Sequence, residues 1–237
     1  MAKVHLAPLA VAVLCAAAVT GIWLGSGLPL IGWTAALAYL AVCNVLLLTA
    51  LHRRRARRFG WANLVTATRS ALVAIITGLV VVSFLAPISV PLLLGLIAPA
   101  LALDAVDGWV ARRTGTATEL GARFDMEVDA FLLLVLSTYV AQALGLWVLA
   151  IGLMRYAFVA AGWALPWLRG RLPPRYWRKV VTAVQGIALA GAAAGLAQPL
   201  DALLVGVALA LLVESFGRDV VWLAVRRPAR KRATARV

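Results

Sequence analysis

The chain has 237 residues, of which 64% are hydrophobic and only 14% charged, with a mean hydropathy of +0.95 and a formal net charge of +14. That balance excludes an ordinary soluble domain, in which charged residues make up about a quarter of the total. What remains is a polytopic membrane protein whose surplus of Lys and Arg must sit outside the lipid.

In chain order, apolar runs of about 18 to 24 residues lie at roughly 6–24, 30–51, 64–84, 91–113, 119–141, 144–168, 178–197 and 202–224, each long enough to cross a bilayer core. The expected fold is therefore all-α, a polytopic membrane helix bundle of eight spans. Lys3 ahead of the first run and small residues at Ala16 to Ala18 imitate a signal peptide. The run continues through Ile22 to Leu24, longer than a usual signal-peptide core, which favours a span. Cys15 and Cys43 fall inside apolar runs and imply no disulfide framework. His5 and His52 sit at run ends with no second ligand near them in sequence. Most of the nine Trp, among them Trp23, Trp33, Trp61, Trp167 and Trp222, fall where interfacial belts are expected.

Orientation follows from the charges. Arg53, Arg54, Arg55, Arg57 and Arg58 follow the second run, and Arg112 and Arg113 end the fourth. Arg169, Arg171, Arg175, Arg178 and Lys179 lie between the sixth and seventh, and a basic tail runs from Arg226 to Arg236. The alternate connections, near Gly25 to Pro29, Leu85 to Ser89, Gln142 to Gly145 and Gln198 to Asp201, contain no Lys or Arg. The positive-inside rule then puts both termini in the cytoplasm of a multi-pass cell-membrane protein, and the surplus charge suits a bilayer with anionic headgroups. No nucleic-acid partner is expected, because the basic runs are short juxtamembrane loops without a reader fold.

Asn63-Leu64-Val65-Thr66-Ala67-Thr68-Arg69 opens the third span. Asn63 suits a helix cap; Arg69, one to two turns inside, has no such simple role, since an arginine within a span is costly. The stretch 104–129 then sets Asp104, Asp107, Asp125 and Asp129 in sequence otherwise written for lipid. On a helix Asp104 and Asp107 share a side, while Gly121, Asp125 and Asp129 form a stripe at four-residue spacing. Between them Arg112 and Arg113 suit a helix C-terminus, Gly115 a turn, and Thr116 with Glu119 a capping box. The expectation is a helical hairpin with acids on both arms.

Four carboxylates so close cannot all stay ionised in a low dielectric without cations. Ligands that are all oxygen point to magnesium, manganese or calcium rather than zinc. The alternative is a set of carboxylates paired with Arg112, Arg113 and Arg123. Asp129 lies about ten residues inside the fifth run, roughly 15 Å from the cytoplasmic surface at about 1.5 Å per residue. Further on, Arg155 falls near the middle of the sixth run with no acid within one helical turn in sequence, so its partner is expected to be an anionic substrate or a carboxylate on another helix. Lys179, Thr182 and Gln185 share a face at three-residue spacing; the alternative is that Lys179 reaches for the interface while Thr182 and Gln185 bond between helices. Glu214 and Arg218, four apart, are expected to pair within one helix.

The pattern Asp104-x-x-Asp107-Gly108-x-x-Ala111-Arg112, eight residues, Gly121-x-x-x-Asp125-x-x-x-Asp129 resembles the signature of the CDP-alcohol phosphatidyltransferases. Eight fixed positions within 26 residues make the match specific. The resemblance implies an integral membrane enzyme of phospholipid biosynthesis that moves a phosphatidyl group from CDP-diacylglycerol to an alcohol and releases CMP. With it come two divalent ions, Mg2+ or Mn2+, which four carboxylates would balance in charge, and a homodimer. It also implies a division into two extra transmembrane helices with a basic loop (1–58), a six-helix CDP-alcohol phosphatidyltransferase core (59–225) and a basic cytoplasmic tail (226–237).

By the same resemblance Asp104, Asp107, Asp125 and Asp129 hold the metal, and Asp129 is also the general base. Arg112 binds the nucleotide, Gly108 gives it room, Asn63 to Thr66 lie against the cytidine end and Thr118 contacts the donor phosphate. Arg69 and Arg155 are further candidates for balancing the pyrophosphate charge. Lys179-x-x-Thr182-x-x-Gln185 is similar to a segment of the phosphatidylglycerophosphate synthase and cardiolipin synthase branch. With Arg155 it marks a site for an acceptor bearing phosphate, glycerol 3-phosphate first, with phosphatidylglycerol and inositol phosphate behind it. Two features depart from the pattern: Ala130 stands where many members carry a basic residue, and Glu127 adds a fifth carboxylate turned away from the stripe. Two other classes stand beside this reading. An intramembrane prenyltransferase also uses aspartates and magnesium, but on motifs far apart in the chain. A cation transporter would use the acids as an ion site and leave Gly108, Ala111, Arg112 and Gly121 unexplained.

Overall fold

The computed structural model describes residues 2–54, 61–114, 119–170, 172, 173 and 175–225, with the side chains of 2–9, 50–54, 61–67, 105–114, 119 and 120 outside that description. The described residues form eight α-helices and no strand: α1 (Ala2–Ser26), α2 (Leu30–Arg54), α3 (Trp61–Ser83), α4 (Val90–Thr114), α5 (Glu119–Leu144), α6 (Leu149–Ala164), α7 (Tyr176–Ala194) and α8 (Gln198–Val225). A chain this apolar has little choice, because in lipid every backbone N–H and C=O must find its partner inside the segment. The expected all-α polytopic architecture is the observed one.

Among the described residues, four helical segments are long and apolar enough to cross a membrane: Leu30–Thr49, Gly121–Leu144, Leu146–Ala164 and Gln198–Val225. Ala10–Ser26, Thr68–Ser83 and Val90–Asp104 are shorter apolar parts of α1, α3 and α4, which run on as helices of 25, 23 and 25 residues. α7 reaches less apolarity than the other spans, since Arg178, Lys179, Thr182 and Gln185 all fall in its first three turns. The side chains that lipid would cover are exposed in the isolated chain, among them Leu14 and Leu24 on α1, Val42 and Leu46 on α2, and Leu203 and Val213 on α8.

The sixth span is shorter than the sequence suggests. Instead of one helix over 144–168, α6 is flanked by 3-10 turns at Leu146–Val148 and Pro166–Arg169. Gly145, at φ +99°, breaks the chain away from α5, a conformation that a residue with a Cβ rarely adopts. At the other end Pro166 holds the preceding Leu165 out of the helical region. α7 ends on Gly195 at φ +66°, whose N–H bonds to the Ala192 carbonyl, a left-handed glycine cap.

The chain divides into two compact units, residues 1–135 and 136–237. In the first, α2 packs along α3, α3 along α4, and α1 against both α2 and α3. Gly32, Ala36, Leu40 and Leu47 form one buried stripe down α2, spaced as an apolar helix face requires. The α2–α3 seam is tightest where two glycines meet. A Cβ on Gly78 would lie 2.6 Å from the Gly32 carbonyl oxygen, and one on Gly32 would lie 2.7 Å from that of Gly78. The Trp23 indole of α1 closes over both and donates to the Pro29 carbonyl at 3.1 Å. Gly78→Ala therefore forces backbone apart, and overpacking of this kind costs about 1–3 kcal/mol. A lower melting temperature in a thermal scan of the purified variant, beside an unchanged Gly191→Ala control whose Cβ meets open space, is the expected result.

The second unit is held by α7 against α8, with α6 also resting on α8. Ala188, Ala192 and Ala193 on α7 and Ala208 on α8 are buried, and small residues let helices in lipid approach closely. Phe158 of α6 meets Phe216 of α8 edge to face with ring centroids 5.4 Å apart.

Candidate active site

The first unit gathers four charged side chains from three helices. Asp125 and Asp129, one turn apart, lie on one side of α5 as their four-residue spacing dictates. α4 brings Asp104 to them, so that one oxygen from each of the three carboxylates lies within 4.8 Å of the others. Arg69 of α3, fully buried, enters the middle. Its Nη1 donates to Asp104 Oδ1 at 2.8 Å, and its Nη2 to Asp125 Oδ1 at 2.6 Å and to the Asp125 carbonyl at 3.2 Å. The same Nη2 lies 2.8 Å from Asp129 Oδ1. The carboxylates keep 45%, 29% and 24% of their side-chain surface, while the guanidinium keeps none. The acids are thus partly exposed over a fully buried arginine.

The donor set fits a hard divalent cation. It consists of carboxylate oxygens close enough to share one ion, with no sulfur or imidazole among them. Three carboxylates around one guanidinium leave net negative charge, which a low dielectric penalises until another cation arrives. Arg69 already occupies the place of a cation with respect to all three acids, a role its position in sequence did not reveal. The signal was there in part: an arginine more than one turn inside an apolar helix needs anionic partners, and the only acids in the first unit's apolar sequence are on α4 and α5. Glu127 is exposed and outside the cluster, and Ala130 is buried.

Several of the other expected site residues lie outside the described side chains. Asp107, Gly108 and Arg112 lie on α4 and Asn63 and Thr66 on α3, with side chains outside the described residues; Thr118 is outside them altogether. In the second unit Arg155 is half-buried on α6, and Lys179 and Thr182 are exposed on α7, the Thr182 hydroxyl donating to the Arg178 carbonyl at 3.0 Å. Gln185 is fully buried and its Nε2 donates to the Ala208 carbonyl at 2.7 Å, tying α7 to α8. That bond commits one of the two amide N–H donors to helix packing. Glu214 and Arg218 pair within α8 as expected, and the Trp177 indole donates to Glu214 Oε2 at 3.0 Å.

Sequence reasoning missed Asp219. It is 5% exposed on α8, 3.5 Å from Arg178 and 3.9 Å from Arg175. The two arginines, read as topology-setting loop charges, therefore also tie the start of α7 to α8.

No curated protein and no solved structure matches the chain. A family model does: CDP-alcohol phosphatidyltransferase, over residues 59–216, a segment that contains Arg69 and all the acids around it. Members transfer a phosphatidyl group from a CDP-alcohol to an alcohol in phospholipid synthesis, and typically depend on a divalent metal. With well over half its length matched and its acids gathered in the apolar helices of a membrane protein, the chain belongs to the CDP-alcohol phosphatidyltransferase family.

Proposed function

We propose that the protein transfers the phosphatidyl group of CDP-diacylglycerol to glycerol 3-phosphate at the cluster of Arg69, Asp104, Asp125 and Asp129, releasing CMP. The observation that carries this reading is the convergence of three carboxylates from α4 and α5 within 4.8 Å of one another, inside the segment that matches the family. Asp104, Asp125 and Asp129, with Asp107 one turn from Asp104, are the residues that would hold two divalent ions, Mg2+ or Mn2+. When bound, such ions supply positive charge against the pyrophosphate and the departing CMP.

The chain's own residues do the rest. Asp129 accepts the proton of the acceptor hydroxyl. The freed oxygen bonds to the β-phosphorus of the donor as the bond from that phosphorus to the bridging oxygen breaks, and the electron pair leaves with CMP. Arg69 lies against Asp129 and orients it for the step. Arg112, with Gly108, Asn63, Thr66 and Thr118, receives the nucleotide and donor phosphate. Residues 59–225 form the catalytic domain in this reading, 1–58 two added helices and 226–237 a basic tail, and the enzyme works as a homodimer.

A phosphate on the acceptor is supported by two cations on the second unit's helices, Arg155 of α6 and Lys179 of α7, with Thr182 about one turn beyond Lys179. Offering the purified enzyme radiolabelled CDP-diacylglycerol with glycerol 3-phosphate, phosphatidylglycerol, inositol phosphate or serine in turn tests it. The expected product is phosphatidylglycerophosphate, with Arg155→Ala raising the acceptor KM; a lipid formed only with a neutral alcohol overturns the assignment. Sidedness is tested in intact cells. An impermeant thiol reagent is expected to label Ser89→Cys and to spare Gly170→Cys, which puts the basic loops and both termini in the cytoplasm.

A further inference from the structure

The two N-terminal helices precede the segment that matches the family, yet α2 reaches the neighbourhood of the acids. Tyr39 is 8% exposed, and its ring stacks on Phe131 of α5 with centroids 4.5 Å apart and planes 19° from parallel. Its hydroxyl is buried beside Cys43 and Ser70. Ser70 is 4% exposed and follows Arg69 directly on α3. One side chain of α2 thus lies between the residue next to Arg69 and the residue two positions past Asp129.

Residues two apart on a helix point to different sides. α5 is therefore held from two directions, by Arg69 on Asp125 and Asp129 and by Tyr39 on Phe131. α2 is well suited to serve as the fixed support, because the glycine contact with α3 locks it under Trp23. The geometry matters at the acids. Turning α5 by about 20° moves a group about 5 Å from its axis by nearly 2 Å, whereas metal ligation tolerates about 0.2 Å.

We infer that the α1–α2 hairpin is a working part of the catalytic unit and that Tyr39 is a positioning residue, fixing the rotation of α5 that brings Asp125 and Asp129 to Arg69 and to a divalent cation. This rests on the acid cluster being the metal and base site proposed above. The test measures Mn2+ binding to the purified full-length protein by the electron paramagnetic resonance signal of free Mn2+, alongside kcat and KM for CMP release. Tyr39→Ala is expected to weaken Mn2+ binding by about tenfold, as loss of a group that orients metal ligands does, and to lower kcat with little change in the KM for CDP-diacylglycerol. Tyr39→Phe keeps the stack and should recover most of both. Phe131→Ala should reproduce the Tyr39→Ala defect, and the double variant should add little to either.

Leu47→Ala, buried elsewhere on α2, supplies a control for general loosening; it is expected to lower the melting temperature and leave Mn2+ binding as in the parent. If Tyr39→Ala does not fold, Tyr39→Leu and Phe131→Leu take its place. Unchanged Mn2+ binding in the folded Tyr39 variants, or an equal loss in Leu47→Ala, overturns the inference. A parent protein that binds Mn2+ but releases no CMP from CDP-diacylglycerol overturns the proposed function instead, and leaves the positioning role to be decided by the binding data.

Discussion

Asp129→Asn is expected to abolish nearly all CMP release while leaving a folded protein. The amide has the shape of the carboxylate but cannot take up the acceptor's proton, and removing a general base typically costs about 10²–10⁴-fold in rate. Because Asp129 also shares Arg69 with Asp104 and Asp125, the loss should lie at the upper end of that range. It should appear in kcat and kcat/KM together, as for an interaction used in the transition state. Assays with CDP-diacylglycerol and saturating Mg2+ give the number directly. Turnover within a few-fold of the parent would remove Asp129 from the role of base.

Arg69→Ala should have the largest effect on stability. It removes the guanidinium that bonds to Asp104 and Asp125 and lies against Asp129, and leaves three carboxylates facing one another. Breaking a buried ion pair by deleting one partner costs about 3–5 kcal/mol, a large part of the stability of an ordinary domain. Divalent metal should offset part of this, since a ligand that binds the folded form stabilises it by mass action. Adding Mg2+ should therefore raise the melting temperature of Arg69→Ala more than that of the parent. Arg69→Lys should fall between them, because a single ammonium cannot reproduce the planar fork that serves Asp104 from one nitrogen and the α5 acids from the other. Equal metal-induced shifts in parent and variant would show that the acids and the arginine are not electrostatically coupled.

How far the sequence carried these expectations depends on the range of the interactions. The helices were legible because apolar length alone determines them in lipid, and Asp125 with Asp129 was legible because a four-residue spacing fixes a shared face without tertiary information. The sixth span was read too long because its composition stays apolar through Gly145 and Pro166, and backbone geometry rather than hydrophobicity ends it there. Arg69 could be flagged as costly, but its partners lie 35 and 56 residues away, and only the packing of α3 on α4 and the placing of α5 identifies them. Tyr39 gave no signal at all, since a tyrosine in a span is unremarkable until the ring opposite it is known. Gln185 allowed two readings, and its bond to the Ala208 carbonyl, 23 residues away, could not be read from the α7 sequence alone.

The bonds of Arg69 also bear on how the chain enters the membrane. An arginine or an aspartate within a lone span raises the insertion free energy, by up to about 2.5–3.5 kcal/mol at the span's centre. α3 carries the arginine, α4 the first aspartates, and α5 two more. Each helix is a poor candidate for release into lipid alone, and each becomes acceptable once its charge is met by the next. Since Asp104 follows Arg69 by 35 residues, synthesis at about 5–20 residues per second separates the two by roughly 2–7 s. During that interval α3 has a reason to linger at the translocon, and the hairpin that completes the acid cluster is also what lets it leave.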